Sequence, residues 1–124
     1  MEKFKLPHDH GHHIDKLIEC MSHTNNFEII ADIFKLLGDS SRIEVFWVLC
    51  HCEECVINLS ALVNMTSPAV SHHLKQLKAR GLIVSRREGK EVYYKAADTE
   101  QAQLLHNVIE KLMEMACPSL ESLN

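Results

Sequence analysis

The 124 residues predict a mainly α-helical domain with one small β-hairpin, and three observations carry that expectation. Residues 64–81, NMTSPAVSHHLKQLKARG, read as a capped helix with one narrow apolar stripe and a polar, basic opposite face. Residues 82–94 then change period: Leu82-Ile83-Val84 and Val92-Tyr93-Tyr94 are β-prone and flank a polar turn containing Gly89. The length allows one modest core rather than two.

Residues 1–13 are polar and rich in histidine, with Pro7 and Gly11 opposing regular structure, so they read as a flexible arm. Ile14, Leu17, Ile18 and Met21 have helical spacing and predict a short helix over 14–23. Asn25 or Asn26 caps the next helix, 26–37, whose apolar face is Phe27, Ile30, Ala31, Phe34 and Leu37 and whose end is Gly38. Asp39 or Ser40 opens a third helix with Ile43, Phe46, Trp47 and Cys50 at i, i+3, i+4 and i+7. His51-Cys52-Glu53-Glu54-Cys55 is too polar for a core, and Asn58 is expected to cap a short helix holding Leu59, Leu62 and Val63.

The turn Asn64-Met65-Thr66 leads into a helix that Thr66 or Ser67 caps, with Pro68 in its first turn and Gly81 at its close. Val70, Leu74 and Leu77 face inward; Ala69, His72, Lys75 and Gln76 face outward, flanked by Ser71 and Lys78. Two short helices joined by a turn, the second exposing polar groups, form a helix-turn-helix suited to the DNA major groove. The hairpin after it, with Arg86, Arg87 and Lys90 near its tip, is a wing able to reach phosphates. The expected fold is therefore a winged helix-turn-helix. Residues 99–116 are again helical, with Leu104, Leu105, Val108, Ile109, Leu112, Met113 and Ala116 in a stripe too wide for one small core. The simplest second partner is the same helix of another copy, giving a homodimer. The expected organisation is an arm and short helix over 1–25, a DNA-binding and dimerisation domain over 26–118, and a frayed tail over 119–124.

The formal net charge is −4, yet residues 67–95 hold seven basic side chains, Lys75, Lys78, Arg80, Arg86, Arg87, Lys90 and Lys95, against Glu88 and Glu91. That local excess is a usable footprint for a polyanion on an otherwise acidic body. The N-terminus lacks the apolar core of a secretory signal, and five cysteines then imply reduced thiols in a cytoplasm. No apolar run is long enough to predict a membrane span. No Gly-rich phosphate loop, nucleophile elbow or His-Glu-x-x-His is present, so neither an enzyme nor an organic cofactor is expected.

Several blocks together resemble the ArsR/SmtB metalloregulator family: Leu37-Gly38-Asp39-Ser40-Ser41-Arg42-Ile43, Ser67-Pro68-Ala69-Val70-Ser71-His72-His73-Leu74-Lys75-Gln76-Leu77, Gly81-Leu82-Ile83, Arg87-Glu88-Gly89-Lys90 and Val92-Tyr93-Tyr94. The resemblance covers roughly residues 26–116 and implies a winged-helix homodimer that represses its own operon. It also implies release from double-stranded operator DNA on metal binding or thiol oxidation. On that footing Ser71 and His72 meet base edges, Ser67, Lys75 and Lys78 support them, and Arg86, Arg87 and Lys90 lie on the wing. Helices 26–37 and 99–116 would build the dimer.

One family sensing motif, Glu-Leu-Cys-Val-Cys-Asp-Leu, aligns with Glu53-Glu54-Cys55-Val56-Ile57-Asn58-Leu59. Cys55 matches its first cysteine; Ile57 and Asn58 replace the second cysteine and the acid, and Cys52 instead forms Cys52-Glu53-Glu54-Cys55. A Cys-x-x-Cys pair chelates borderline and soft ions, and His8, His10, His12, His13 and Cys20 of the arm can complete a zinc-like site. Cadmium, lead or arsenite are alternative effectors. Cys50 reads as packing, Cys117 as lying near a frayed end, and His51 and His106 as structural, solvated or ligating. A second family site aligns with Asp98, Glu100, Lys111 and Glu114, where both imidazoles are lost; it is expected to be inactive, with Lys111 paired to a carboxylate. Two other functions compete with metal-released repression: a thiol-redox repressor of the same fold, and a zinc-binding interaction module that no longer reads DNA.

Overall fold

The computed structural model describes residues 6–11, 14–22 and 25–116. His12, His13, Cys117 and the expected tail over 119–124 lie outside the described residues. The chain divides into two compact units, Met1–Phe34 and Lys35–Asn124. The division falls within a helix, α2, where the sequence places its boundary at 25–26.

The elements run α1 (Asp15–Met21), α2 (Asn25–Leu36), α3 (Ser40–His51), β1 (Glu54–Cys55), α4 (Val56–Val63), α5 (Ser67–Ala79), β2 (Ile83–Glu88), β3 (Glu91–Ala96) and α6 (Glu100–Ala116). In the first unit, Leu6 and the α1 residues Leu17 and Met21 stay exposed, as do Phe27, Ile29, Ile30 and Phe34 of α2.

In the second unit α3 is the central element, packing against α4, α5, α6 and β3. Its start is set by Asp39, whose carboxylate accepts from the Ser41 and Arg42 amides at 2.9 and 3.2 Å. Asp39, not Ser40, is the cap. Val45, Phe46 and Leu49 are its buried residues, whereas Ile43, Trp47 and Cys50 are only partly buried. The inward stripe is therefore rotated from the one expected. A helix with apolar groups on most of its faces does not announce which one the core takes.

Helix α5 has both of its expected terminal signals. Thr66 caps it, its Oγ1 accepting from the Ala69 amide at 3.3 Å, and Pro68 lies in the first turn. At the other end the Leu82 amide bonds the Leu77 carbonyl and the Gly81 amide the Lys78 carbonyl, with Gly81 at φ +72. That is a Schellman closure, which turns the chain sharply into the sheet. Between α4 and α5, Asn64 takes the left-handed conformation at φ 52 and ψ 52.

The sheet departs from a plain hairpin. It has three antiparallel strands in the order β1-β3-β2, with Cys55 opposite Tyr93 and Glu54 opposite Tyr94. β1 was expected as part of a polar connection, and its short length hides it from any alternation test. Cys55 is buried there and is itself the N-cap residue of α4. The helix thus starts at Val56 and Asn58 is inside it, so the cap expected at Asn58 is corrected; its Nδ2 donates to Glu54 Oε2 at 2.8 Å. β2 and β3 pair from Ile83 with Ala96 to Glu88 with Glu91, leaving a two-residue turn at Gly89, which takes φ +62.

On α6, Ala102 and Ile109 are buried and Leu105 and Met113 are partly buried against the core. Leu104, Val108, Leu112 and Met115 stay exposed, so the stripe has two faces. Among the described residues no helix is long and apolar enough to cross a membrane.

Phe46 is fully buried at the centre of this packing. Phe46→Ala is expected to lower unfolding stability by about 3–5 kcal/mol, and Thr66→Ala by about 1 kcal/mol. Urea denaturation of both variants checks the order; equal losses would remove Phe46 from the centre of the core.

Candidate functional site

The outward face of α5 carries Ser71, His72 and Lys75, all exposed. Ser67 begins the helix and its hydroxyl lies 3.1 Å from that of Ser60 on α4, so it ties the two helices together. Lys78 donates to Ser85 Oγ at 2.6 Å, linking the end of α5 to β2. Arg87 and Lys90 are exposed on the wing. A helix held by Val70, Leu74 and Leu77 presents small polar and basic groups to a polyanion, with further cations beside it.

Arg86, expected on the wing as a phosphate contact, is held by carboxylates. Its Nε and Nη2 donate to Glu53 at 2.6–3.0 Å and its Nη1 to Glu88 at 2.6 Å. Its guanidinium also lies 4.8 Å from the centre of the Tyr93 ring. These hydrogen bonds raise the Arg86 pKa further, and the bond from Arg86 holds the Glu53 carboxyl below its ordinary value. Half-exposed pairs of this kind add little stability, but a bidentate grip fixes geometry. Glu53 stands between Cys52 and Cys55, so the wing is latched to the Cys-x-x-Cys segment.

His73 was not singled out as a functional residue. It is 8% exposed on the inner face of α5, and its Nδ1 has no hydrogen-bond partner. Burial pushes its pKa down from the ordinary 6.5, against the attraction of Asp39.

The cysteines have different surroundings. Cys52 is exposed just past α3, with its thiol directed to the Val48 carbonyl at 3.5 Å; burial, then the Glu54 charge, push its pKa up. Burial pushes Cys50 up to about 12, with Glu110 adding to it. Neither shift favours the thiolate that oxidation chemistry needs. Cys20 is exposed in the first unit, which also holds His8 and His10. Of the Asp98, Glu100 and Glu114 set, Asp98 and Glu100 are exposed, and Lys111 pairs with Glu114 at 3.6 Å, as expected of it.

Among the described residues, one group of three metal-capable side chains converges, and it is a different one: His51, His106 and Glu110. His51 ends α3, while His106 and Glu110 are one turn apart on α6. Both imidazole Nε2 atoms meet Glu110 Oε1, at 2.8 and 2.9 Å, and lie 3.3 Å from each other. Trp47 Nε1 donates to the same oxygen at 3.2 Å. Burial pushes the Glu110 pKa up, but the hydrogen bonds from His106 and His51 outweigh it and hold the carboxyl low. In the sequence His51 lies 55 residues from His106, and only the i, i+4 spacing of His106 and Glu110 hints at a shared face.

A capped helix standing behind a basic wing defines a winged helix-turn-helix regulatory protein. The family model described as "Bacterial regulatory protein, arsR family" matches residues 39–85, from the α3 cap through the first half of β2. Over 85 residues the chain is 36% identical to a transcriptional repressor SmtB homolog from Synechocystis, covering 68% of this chain and 64% of that protein. It is 34% identical to the cadmium resistance transcriptional regulatory protein CadC of Listeria innocua, covering 66% of this chain and 71% of that one. A homodimeric winged helix-turn-helix DNA-binding domain from Mycobacterium bovis superposes with a TM-score of 0.65 at 25% identity, covering 73% of this chain and 83% of that one. The chain belongs to the arsR family of bacterial regulatory proteins.

The buried His73 sets one pH dependence. Because its pKa is lowered on folding, the unfolded chain takes up the proton first. Stability is therefore complete above about pH 6.5 and falls as pH drops towards the folded value. His73→Gln is expected to flatten this limb of the stability–pH curve between neutrality and pH 5; an unchanged limb would assign it to other groups.

Proposed function

We propose that the chain is a homodimeric repressor of its own operon, which binds two-fold symmetric double-stranded DNA through α5 and the wing and leaves it when a thiophilic cation binds. Ser71 and His72 read base edges, with Ser67, Lys75 and Lys78 beside them and Arg87 and Lys90 on phosphates. The exposed apolar residues of α2 and α6 are the surfaces that a second copy covers. Zinc is the leading effector, with cadmium, lead and arsenite as alternatives that thiolates also accept.

Cys52 and Cys55 are the ligands proposed for it, assisted by His8, His10, His12, His13 or Cys20 of the N-terminal arm. The observation that supports this reading is the pairing of β1 with β3, together with the Glu53–Arg86 latch. A ligand that draws Cys52 and Cys55 together acts on a strand of the wing sheet itself. Binding there that differs between the DNA-bound and released geometries is the differential contact that a switch requires.

Gel retardation on the DNA upstream of its own gene is expected to show a specific complex whose affinity falls steeply with salt, by a log–log slope of about −0.9 per phosphate contacted. Zinc or cadmium should weaken that complex by about 5–150-fold, and Cys52→Ser with Cys55→Ser should abolish the response. No specific complex at any salt defeats the repressor reading, and a normal metal response in the double variant moves the effector elsewhere. Glu53→Ala leaves both thiols in place while releasing Arg86. It is expected to keep metal uptake and to shrink the metal-induced fall in DNA affinity; an undiminished fall would remove the latch from the coupling.

A further inference from the structure

We propose that His51, His106 and Glu110 form a second metal site, separate from Cys52 and Cys55, that takes one Zn2+ per chain and staples α3 to α6. The three ligand atoms already converge, at 2.8, 2.9 and 3.3 Å from one another. A tetrahedral Zn2+ with bonds of about 2.0–2.1 Å holds its ligands about 3.3 Å apart. The two imidazoles already have that separation, and the carboxylate oxygen has only a few tenths of an ångström to retreat.

A plain hydrogen-bonded triad accounts for this geometry less well. For both rings to donate to Glu110 Oε1, each must carry its proton on Nε2, and the two N–H groups then crowd each other at the same oxygen, which Trp47 Nε1 also approaches. With each ring's proton on Nδ1, both Nε2 lone pairs can bind one cation, which removes that conflict. The Trp47 N–H then holds the ligating carboxylate in place, as outer hydrogen bonds do around bound metals.

The chemistry of the set also differs from that of the thiols. Two imidazoles and a carboxylate suit borderline cations such as Zn2+ and Co2+ and lack the thiolates that arsenite requires. Three protein ligands leave a fourth position for water, and the His51 side chain, 41% exposed, leaves the site within reach of solvent. Glu110 and His106 lie on the helix whose Leu104, Val108 and Leu112 are exposed, while α3 packs on the recognition helix. A cation here fixes the angle between those two elements. The inference stands without the thiol reading, because none of its ligands is shared with that one.

Trp47 is the only tryptophan in the chain, and its ring lies 4.5 Å from that of His51. Its fluorescence therefore reports this site directly. The test titrates Zn2+ and Co2+ into the full chain carrying Cys52→Ser and Cys55→Ser, which removes the proposed thiol ligands first. A saturable fluorescence change is expected at one equivalent, with visible Co2+ d–d bands and no thiolate-to-cobalt charge transfer. His106→Gln and, separately, His51→Gln in that background should each weaken binding by about 100-fold or more, since even the loss of an outer-shell partner costs 10–100-fold. Thermal unfolding of the metal-free variants verifies their folding, and the exposed position of His51 keeps the test open if His106→Gln misfolds. No fluorescence change, a thiolate charge-transfer band, or unchanged affinity in the folded variants overturns the proposal.

Discussion

The pairing of β1 with β3 is the constraint on which both the wing sheet and the start of α4 depend. Only two residues long, β1 places Cys55 opposite Tyr93 and Glu54 opposite Tyr94. That pairing converts the connection between α3 and α4 into the edge of the wing sheet. Cys55 then does two things at once: its backbone pairs in the sheet, with its side chain buried, and the same residue opens α4, the first helix of the helix-turn-helix pair. Glu53, which lies between Cys52 and Cys55 in the sequence, grips Arg86 on β2, across the sheet beyond β3. This segment is therefore tied to the wing by strand pairing and a bidentate ion pair, and to the helix pair through the start of α4.

Most of the frame was legible because its signals are local. Thr66, Pro68 and Gly81 bracket α5 through backbone chemistry that needs no tertiary information, and Gly89 marks the hairpin turn in the same way. The width of the α6 stripe was also readable, and the two exposed and buried rows explain why one core could not absorb it. What escaped was decided by packing. The inward face of α3 turns on Val45, Phe46 and Leu49, since the helix is apolar nearly all round. β1 is too short to alternate, and so Asn58 looked like a cap when it belongs to the first turn of a helix that Cys55 had already opened.

The site was less legible than the fold, for a related reason. The exposed residues of α5 follow from helical spacing alone. Arg86 could be read only as one more cation in a basic run, because its carboxylate partner Glu53 precedes it by 33 residues. His73 sits beside His72 in the sequence but about 100° further round the helix, so His72 faces solvent and His73 the core. The His51, His106 and Glu110 cluster crosses from α3 to α6, and no spacing rule reaches across 55 residues.

The end of α3 is where these threads meet. His51 is its last residue and belongs to the cluster shared with α6; Cys52 is its C-cap and begins the segment that leads into the wing sheet. A nitrogen and oxygen ligand set thus lies one residue from a thiol. Softness sorts cations between two such neighbours, with thiolates favouring cadmium, lead and arsenite and the imidazole–carboxylate set favouring zinc or cobalt. Because α3 also packs on α4, α5 and β3, either proposed occupancy would act on the same helix. On the two proposed readings the direction of action differs: from Cys52 through β1 into the wing, or from His51 across to α6 and its exposed apolar face. On the proposed readings one helix end would serve two inputs without sharing a ligand between them.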